Sequence, residues 1–264
     1  MTIALRDAGF TYPDGSNAVR SVDLRVDDGE RVAIVGQNGA GKTTAVKMMN
    51  GLLKPTRGDV LVDGTSTKGR TTASIARTVG YVFQNPDDQI FSSSVGAELA
   101  FMPRYHHWAE EKRAERVGRA AELTGIAQHL DANPKDLPFA IRKFVAIAAV
   151  LVGECRHVIL DEPTAGLDLV GLSVLNSMID QLEADGIAVV VITHDMRFVA
   201  ESFSRVVAMA DGTVVADGSC AEVFSDDAVL GKARIKRLEV AQLARDLGLS
   251  STALTVGDVV PLIP

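Results

Sequence analysis

Gly36-Gln37-Asn38-Gly39-Ala40-Gly41-Lys42-Thr43-Thr44 fits the pattern G-x-x-x-x-G-K-[ST] of a phosphate-binding P-loop. The apolar run Arg31-Val32-Ala33-Ile34-Val35 leads into it, and Thr44-Ala45-Val46-Lys47-Met48-Met49 leaves it with helical character. A strand feeding a glycine-rich turn that opens a helix gives the motif its meaning. Backbone N–H groups in such a turn point inward and the helix N-terminus adds partial positive charge, so together they hold a polyphosphate. Gly36, Gly39 and Gly41 permit a close phosphate approach that a Cβ would obstruct. Lys42 is placed to neutralise the β- and γ-phosphates of ATP, and Thr43 to give its hydroxyl to Mg²⁺. Thr44 adds a hydroxyl toward the α-phosphate, and Gln37, Asn38 and Ala40 complete the loop.

A second element points to hydrolysis. Val158-Ile159-Leu160-Asp161-Glu162 is an apolar run ending in two acids. Buried parallel strands read as continuous apolar runs, and their C-termini carry active sites. Asp161 is expected to hold Mg²⁺, directly or through water, and Glu162 to accept a proton from the attacking water. The plain alternative is a solvated turn. Gln84 ends the apolar segment Val79-Gly80-Tyr81-Val82-Phe83 and can orient Mg²⁺ and water. His194 ends Ile187-Ala188-Val189-Val190-Val191-Ile192-Thr193, where a neutral imidazole can hydrogen-bond the γ-phosphate; alternatively it is a surface histidine. Asp168, in Ala165-Gly166-Leu167-Asp168, reads as a helix N-cap that can also serve the site.

The order P-loop, Gln84, Asp161-Glu162-Pro163-Thr164, Ala165-Gly166-Leu167-Asp168 and Thr193-His194-Asp195 resembles the ATP-binding-cassette (ABC) ATPases over roughly residues 2–220. The resemblance implies an α/β P-loop NTPase fold with an antiparallel β lobe, a RecA-like core and an inserted helical subdomain. It also implies a nucleotide-binding subunit that dimerises head-to-tail around two ATP molecules, with Asp168 linking the two sites. Tyr12, in Phe10-Thr11-Tyr12-Pro13-Asp14-Gly15, matches the family aromatic that stacks on adenine; its alternative is a strand-end tyrosine before a turn.

A narrower likeness follows Gln84. Gln84-Asn85-Pro86-Asp87-Asp88-Gln89-Ile90-Phe91 and Val95-Gly96-Ala97-Glu98-Leu99-Ala100-Phe101 resemble the ATPases of energy-coupling-factor (ECF) importers of vitamins and transition metals. In that family the segment Asn85 to Phe101 faces an integral membrane subunit. Gln242-Leu243-Ala244-Arg245-Asp246-Leu247-Gly248-Leu249 and Leu254-Thr255-Val256 resemble the tail of the same group. The implied function is ATP hydrolysis that energises import. Two alternatives stay open: a catalytically weak nucleotide-dependent dimerisation module, and a soluble ABC ATPase outside transport.

One stretch departs from the family. ABC ATPases carry a signature, usually L-S-G-G-Q, before the acidic strand; here it reads Leu137-Pro138-Phe139-Ala140-Ile141-Arg142-Lys143. In the family that serine hydroxyl and the glycine N–H groups reach the partner's γ-phosphate. Proline offers neither hydroxyl nor backbone N–H, and losing such donors costs about 10²–10³ in rate. The helix after it keeps its spacing through Phe144, Val145, Ile147, Ala148 and Leu151. A heterodimer is therefore expected, in which a second ABC ATPase completes the site at Gly36 to Thr44. The competing reading is a homodimer in which Arg142 or Lys143 contacts phosphate.

The 264 residues suit one substantial α/β domain: 47 % hydrophobic, 23 % charged, net charge −7. Basic clusters are short, so no nucleic-acid partner is expected. No apolar run approaches the ~18–20 residues of a membrane span, and Met1-Thr2-Ile3-Ala4-Leu5-Arg6-Asp7 shows no signal peptide. The chain is expected in the cytoplasm, held peripherally on the inner membrane face by its partner. Cys155 and Cys220 show no metal spacing. Residues 1–220 are expected to form the ATP-binding domain, with the helical subdomain at approximately 85–152, and 221–264 a helical extension. Within this frame, 206–209 and 213–216 read as a hairpin about Asp211-Gly212, 110–124 as a charged helix, and His106-His107-Trp108 as a surface loop in preference to an interface.

Overall fold

A computed structural model describes residues 1–249 and 253–262. The first strands, β1 (Thr2–Thr11) and β2 (Asn17–Asp27), flank the predicted Pro-Asp-Gly turn, where Asp14 accepts hydrogen bonds from the N–H and hydroxyl of Ser16. In β2, Val22, Leu24 and Val26 are buried while Asp23 and Arg25 are exposed, the period of two that one solvated sheet face requires. Then come β3 (Arg31–Val35), α1 (Lys42–Met49), β4 (Arg57–Val62), β5 (Thr65–Ser66), α2 (Thr72–Ala76) and β6 (Val79–Val82). The helical stretch holds α3 (Val95–Tyr105), α4 (Glu110–Leu123) and α5 (Phe139–Leu151). Alternation resumes with β7 (His157–Asp161), α6 (Leu169–Ala184), β8 (Ala188–Ile192), α7 (Met196–Ser202), β9 (Arg205–Ala210) and β10 (Thr213–Ser219). Four short helices follow: α8 (Cys220–Ser225), α9 (Asp227–Ala233), α10 (Glu239–Asp246) and α11 (Val256–Val259).

These elements fall into two compact units. One comprises Met1, Asp27–Glu30 and Arg70–Val190. Its strands run in the order β8-β7-β6, with β6 parallel to β7 and Val82 opposite Leu160. Every residue of β7 and β8 is buried, as expected of strands covered on both faces. The helices α3, α4 and α5 pack on one another in this unit.

The other unit comprises Thr2–Val26, Arg31–Gly69 and the described residues from Val191 onward. Its strand order is β5-β4-β1-β2-β10-β9-β3. β1 pairs antiparallel with β4, whereas β3 runs parallel to β9, with Val35 opposite Ala208. The predicted hairpin is β9 and β10, with Val214 opposite Met209. In the C-terminal helices, Ala244, Ala253 and Val259 form a small core with Val240 and Leu249 against it. Residues 250–252 and 263–264 of the expected extension lie outside the described residues. The short helix α2, capped by the Thr71 hydroxyl, was not expected from the sequence.

Candidate active site

Four buried residues of β3, Val32 to Val35, deliver the chain to Gly36. Gly36 has φ +144°, and a Cβ there would lie 2.2 Å from the carbonyl oxygen of Met209 on β9. No other residue fits, because both the backbone conformation and the space are reserved for hydrogen. Gly39, at φ +80°, has open space where a Cβ would point. Gly41 is the N-cap of α1. Lys42, 6 % exposed, turns back over the loop and donates to the carbonyls of Gly36 (2.7 Å) and Gln37 (2.9 Å). Inside the loop, the Ala40 N–H bonds the Gln37 carbonyl, and the Gln37 N–H is held by Ala233 of α9.

Two further expected residues lie in this unit. Tyr12 packs edge-on against Phe10 at 4.9 Å, and its hydroxyl is 3.2 Å from Thr44 Oγ1. The ring expected to stack on adenine thus meets the hydroxyl expected at the α-phosphate. A glycine loop, a lysine ammonium, two threonine hydroxyls and an aromatic ring are a donor set that suits a nucleoside triphosphate with its Mg²⁺. His194 is exposed two residues past the end of β8, just ahead of Asp195, the cap of α7.

The acidic pair lies in the unit with Arg70–Val190. Asp161 ends β7, buried, and accepts a 2.7 Å hydrogen bond from the Tyr81 hydroxyl on β6. Burial and this carboxylate push the pKa of Tyr81 up. Gln84 lies two residues past Val82, and Glu162 two past its register partner Leu160, so both leave the same end of the parallel pair. Gln84 is exposed and Glu162 half-buried. Glu162 sits in the left-handed region at φ +49°. For a residue with a side chain this costs roughly 1–2 kcal/mol, a strain found at functional sites. Asp168 caps α6 by accepting from the Gly171 N–H at 2.8 Å, as its N-cap reading expected.

Pro138 occupies the N-cap of α5 without any side-chain cap. The Phe139 ring lies over Gly166, where a Cβ would come within 3.1 Å of it. Arg142 donates to the Leu137 carbonyl and pairs with Asp87 at 2.9 Å. Lys143, 4 % exposed, donates to the carbonyls of Glu162 (2.5 Å) and Pro163 (3.4 Å). Both cations considered as phosphate contacts are thus engaged within the chain. Burial pushes the Lys143 ammonium down to about 8, against the pull of the Glu162 and Asp161 charges.

The bonds from Lys143 to the acidic loop and from Tyr81 to Asp161 escaped the sequence reading. Lys143 carried a signal: it precedes Ile147 and Leu151 at intervals of four, on the apolar stripe of α5. After Gln84, the chain is pinned by Gln89, whose amide oxygen accepts from the Phe83 N–H and whose nitrogen donates to the Ala146 carbonyl. Buried Glu98 accepts from the N–H groups of Phe91 and Ser92. Beside this segment lies a groove of about 620 Å³, lined by Phe91, Phe101, Met102, His106 and Trp108 among others. His106-His107-Trp108 lie in a turn and loop at the surface, as the sequence reads, and His106 and Trp108 also line the groove.

The family profile described as ABC transporter matches residues 19–165. A putative ABC transporter ATP-binding protein of Pyrococcus furiosus is 40 % identical over 94 % of this chain and 94 % of its own. The energy-coupling factor transporter ATP-binding protein EcfA of Methanocaldococcus jannaschii is 36 % identical over 97 % of this chain and 95 % of that one. Among solved structures, cbiO1 from Clostridium perfringens, part of the ABC transporter complex cbiONQ, matches with a TM-score of 0.79. Its identity is 32 %, over 94 % of this chain and 98 % of that one.

The two exchanges Gly36→Ala and Gly39→Ala separate packing from backbone conformation. Gly36→Ala is expected to lower the unfolding free energy by about 3 kcal/mol, because Met209 must move. Gly39→Ala is expected to cost about 1 kcal/mol, from its left-handed backbone alone. Urea unfolding of both variants checks this, and equal losses would contradict the assigned loop geometry.

Proposed function

The chain belongs to the ABC transporter ATP-binding family, and we propose that it is the ATP-hydrolysing subunit energising an ECF-type importer of a vitamin or transition metal. The observation that carries the reading is Lys42, its ammonium folded into a glycine loop between a buried strand and a helix N-terminus. The likeness to EcfA and cbiO1 supports the ECF assignment.

In this reading the loop from Gly36 to Thr44 binds the triphosphate and Tyr12 stacks on adenine. Thr43, Asp161 and Gln84 would hold Mg²⁺, which would screen the charge of the β- and γ-phosphates. The protein's own step is proton transfer: Glu162 takes a proton from the attacking water while Lys42 and His194 hold the γ-phosphate. Loss of the γ-phosphate then removes contacts that exist only in the ATP state, the physical basis of a switch. Asp168 links this site to that of a second ABC ATPase. A heterodimer is favoured over a homodimer because Pro138 has no N–H to donate across the interface.

The membrane subunit docks at the segment 85–101. Phe91 and Phe101 support this surface: they pack edge-to-face at 4.7 Å, yet remain 63 % and 44 % exposed. Apolar side chains gathered at a groove rim mark an interaction surface. Among the described residues no helix is long and apolar enough to cross a membrane. In this reading the chain sits at the inner membrane face through its partner, without nucleic acid.

Two measurements test the reading on the ATPase complex purified through this chain. Glu162→Gln is expected to lower kcat for ATP at least 100-fold while ATP remains bound; undiminished phosphate release would refute Glu162 as the base. Phe101→Glu is expected to leave nucleotide binding intact and cut the membrane-bound share of the chain about tenfold. An unchanged distribution on fractionation would move the docking surface elsewhere.

A further inference from the structure

The first two turns of α5 grip the loop that follows β7 at two points. Phe139 covers Gly166, and Lys143 reaches the carbonyls of Glu162 and Pro163. The peptide between Glu162 and Pro163 has no N–H, because its nitrogen belongs to proline. Its carbonyl is therefore the only hydrogen-bonding group by which the protein can hold that peptide. Lys143 takes it at 2.5 Å, and the Ala165 N–H adds a longer contact at 3.4 Å. The hold is needed locally: a residue before proline favours extended backbone, whereas Glu162 is left-handed at φ +49°.

We propose that Lys143 is a positioning residue for hydrolysis, fixing the left-handed backbone of Glu162 and so the aim of its carboxylate. The inference rests on the reading of Glu162 as the general base. It gives the altered signature turn a task within its own chain, distinct from the partner-facing role of the family motif. Stability alone does not account for the residue. An ammonium on an apolar helix face is costly to bury, and methionine has a similar length without that cost. Nor does a phosphate contact account for it, since Lys143 is 4 % exposed with its ammonium committed to carbonyls.

The test uses the purified ATPase complex and Mg·ATP, with Glu162→Gln as reference. Lys143→Met is expected to lower kcat about 10- to 100-fold, the scale of a 1 Å misplacement, with KM for ATP changed less than twofold. Lys143→Arg, which keeps the cation, is expected to recover most of the loss. Lys143→Gln, a shorter neutral donor, serves if the methionine variant does not fold, with a partial loss of kcat at constant KM. The proposal is overturned if these variants keep kcat within twofold, if kcat and ATP affinity fall together, or if arginine does no better than methionine. If Glu162→Gln abolishes turnover while Lys143→Met does not, only the positioning role fails. If Glu162→Gln turns over normally, the general-base reading fails and the positioning role with it.

Discussion

The contact between the Gly36 backbone and the Met209 carbonyl fixes where the chain leaves β3. With a Cβ excluded at 2.2 Å, the loop can pass only as glycine, and it passes close against β9. The parallel pairing of β3 with β9 sets that distance. From there the chain must turn, and Gly39 and Gly41 supply the positive φ angles that bring Lys42 to the start of α1. The ammonium then points back at the carbonyls of Gly36 and Gln37. A cation held in this way lies in a concave turn at a helix N-terminus, where both the charge and the dipole favour a polyphosphate.

A different constraint governs the acidic pair. Asp161 is buried at the end of β7, where an ionised carboxylate needs hydrogen bonds, and Tyr81 supplies one from the neighbouring strand. Glu162 then departs from strand geometry at once. The chain holds it there through carbonyl contacts from α5, so the helix with the altered signature is also the helix bracing the acidic loop. The turn from Pro138 to Ile141 thus leads directly into the brace of the acidic loop.

Legibility in the sequence tracked locality. β3, the P-loop and α1 could be read because an apolar run, glycines and a helical period follow one another directly. The hairpin of β9 and β10 was legible from Asp211-Gly212, and the capping role of Asp168 from its place before α6. The bond from Lys143 to the acidic loop was not legible because its partners lie 19 and 20 residues away, after β7. The Tyr81 bond to Asp161 spans 80 residues. The left-handed backbone of Glu162 opposes the local preference set by Pro163, so local rules pointed away from it. The groove wall at His106 and Trp108 needs α3, α5 and the loop after Gln84 together, which no window of sequence displays.

All of the proposed chemistry starts from recognition of a triphosphate by the Lys42 loop through its terminal phosphates. Calorimetric titration of the purified chain with Mg·ATP and Mg·ADP, before and after Lys42→Ala, tests it most directly. The exchange is expected to weaken ATP binding at least tenfold, about 1.4 kcal/mol, and ADP binding less. Equal affinities for ATP before and after the exchange would contradict it.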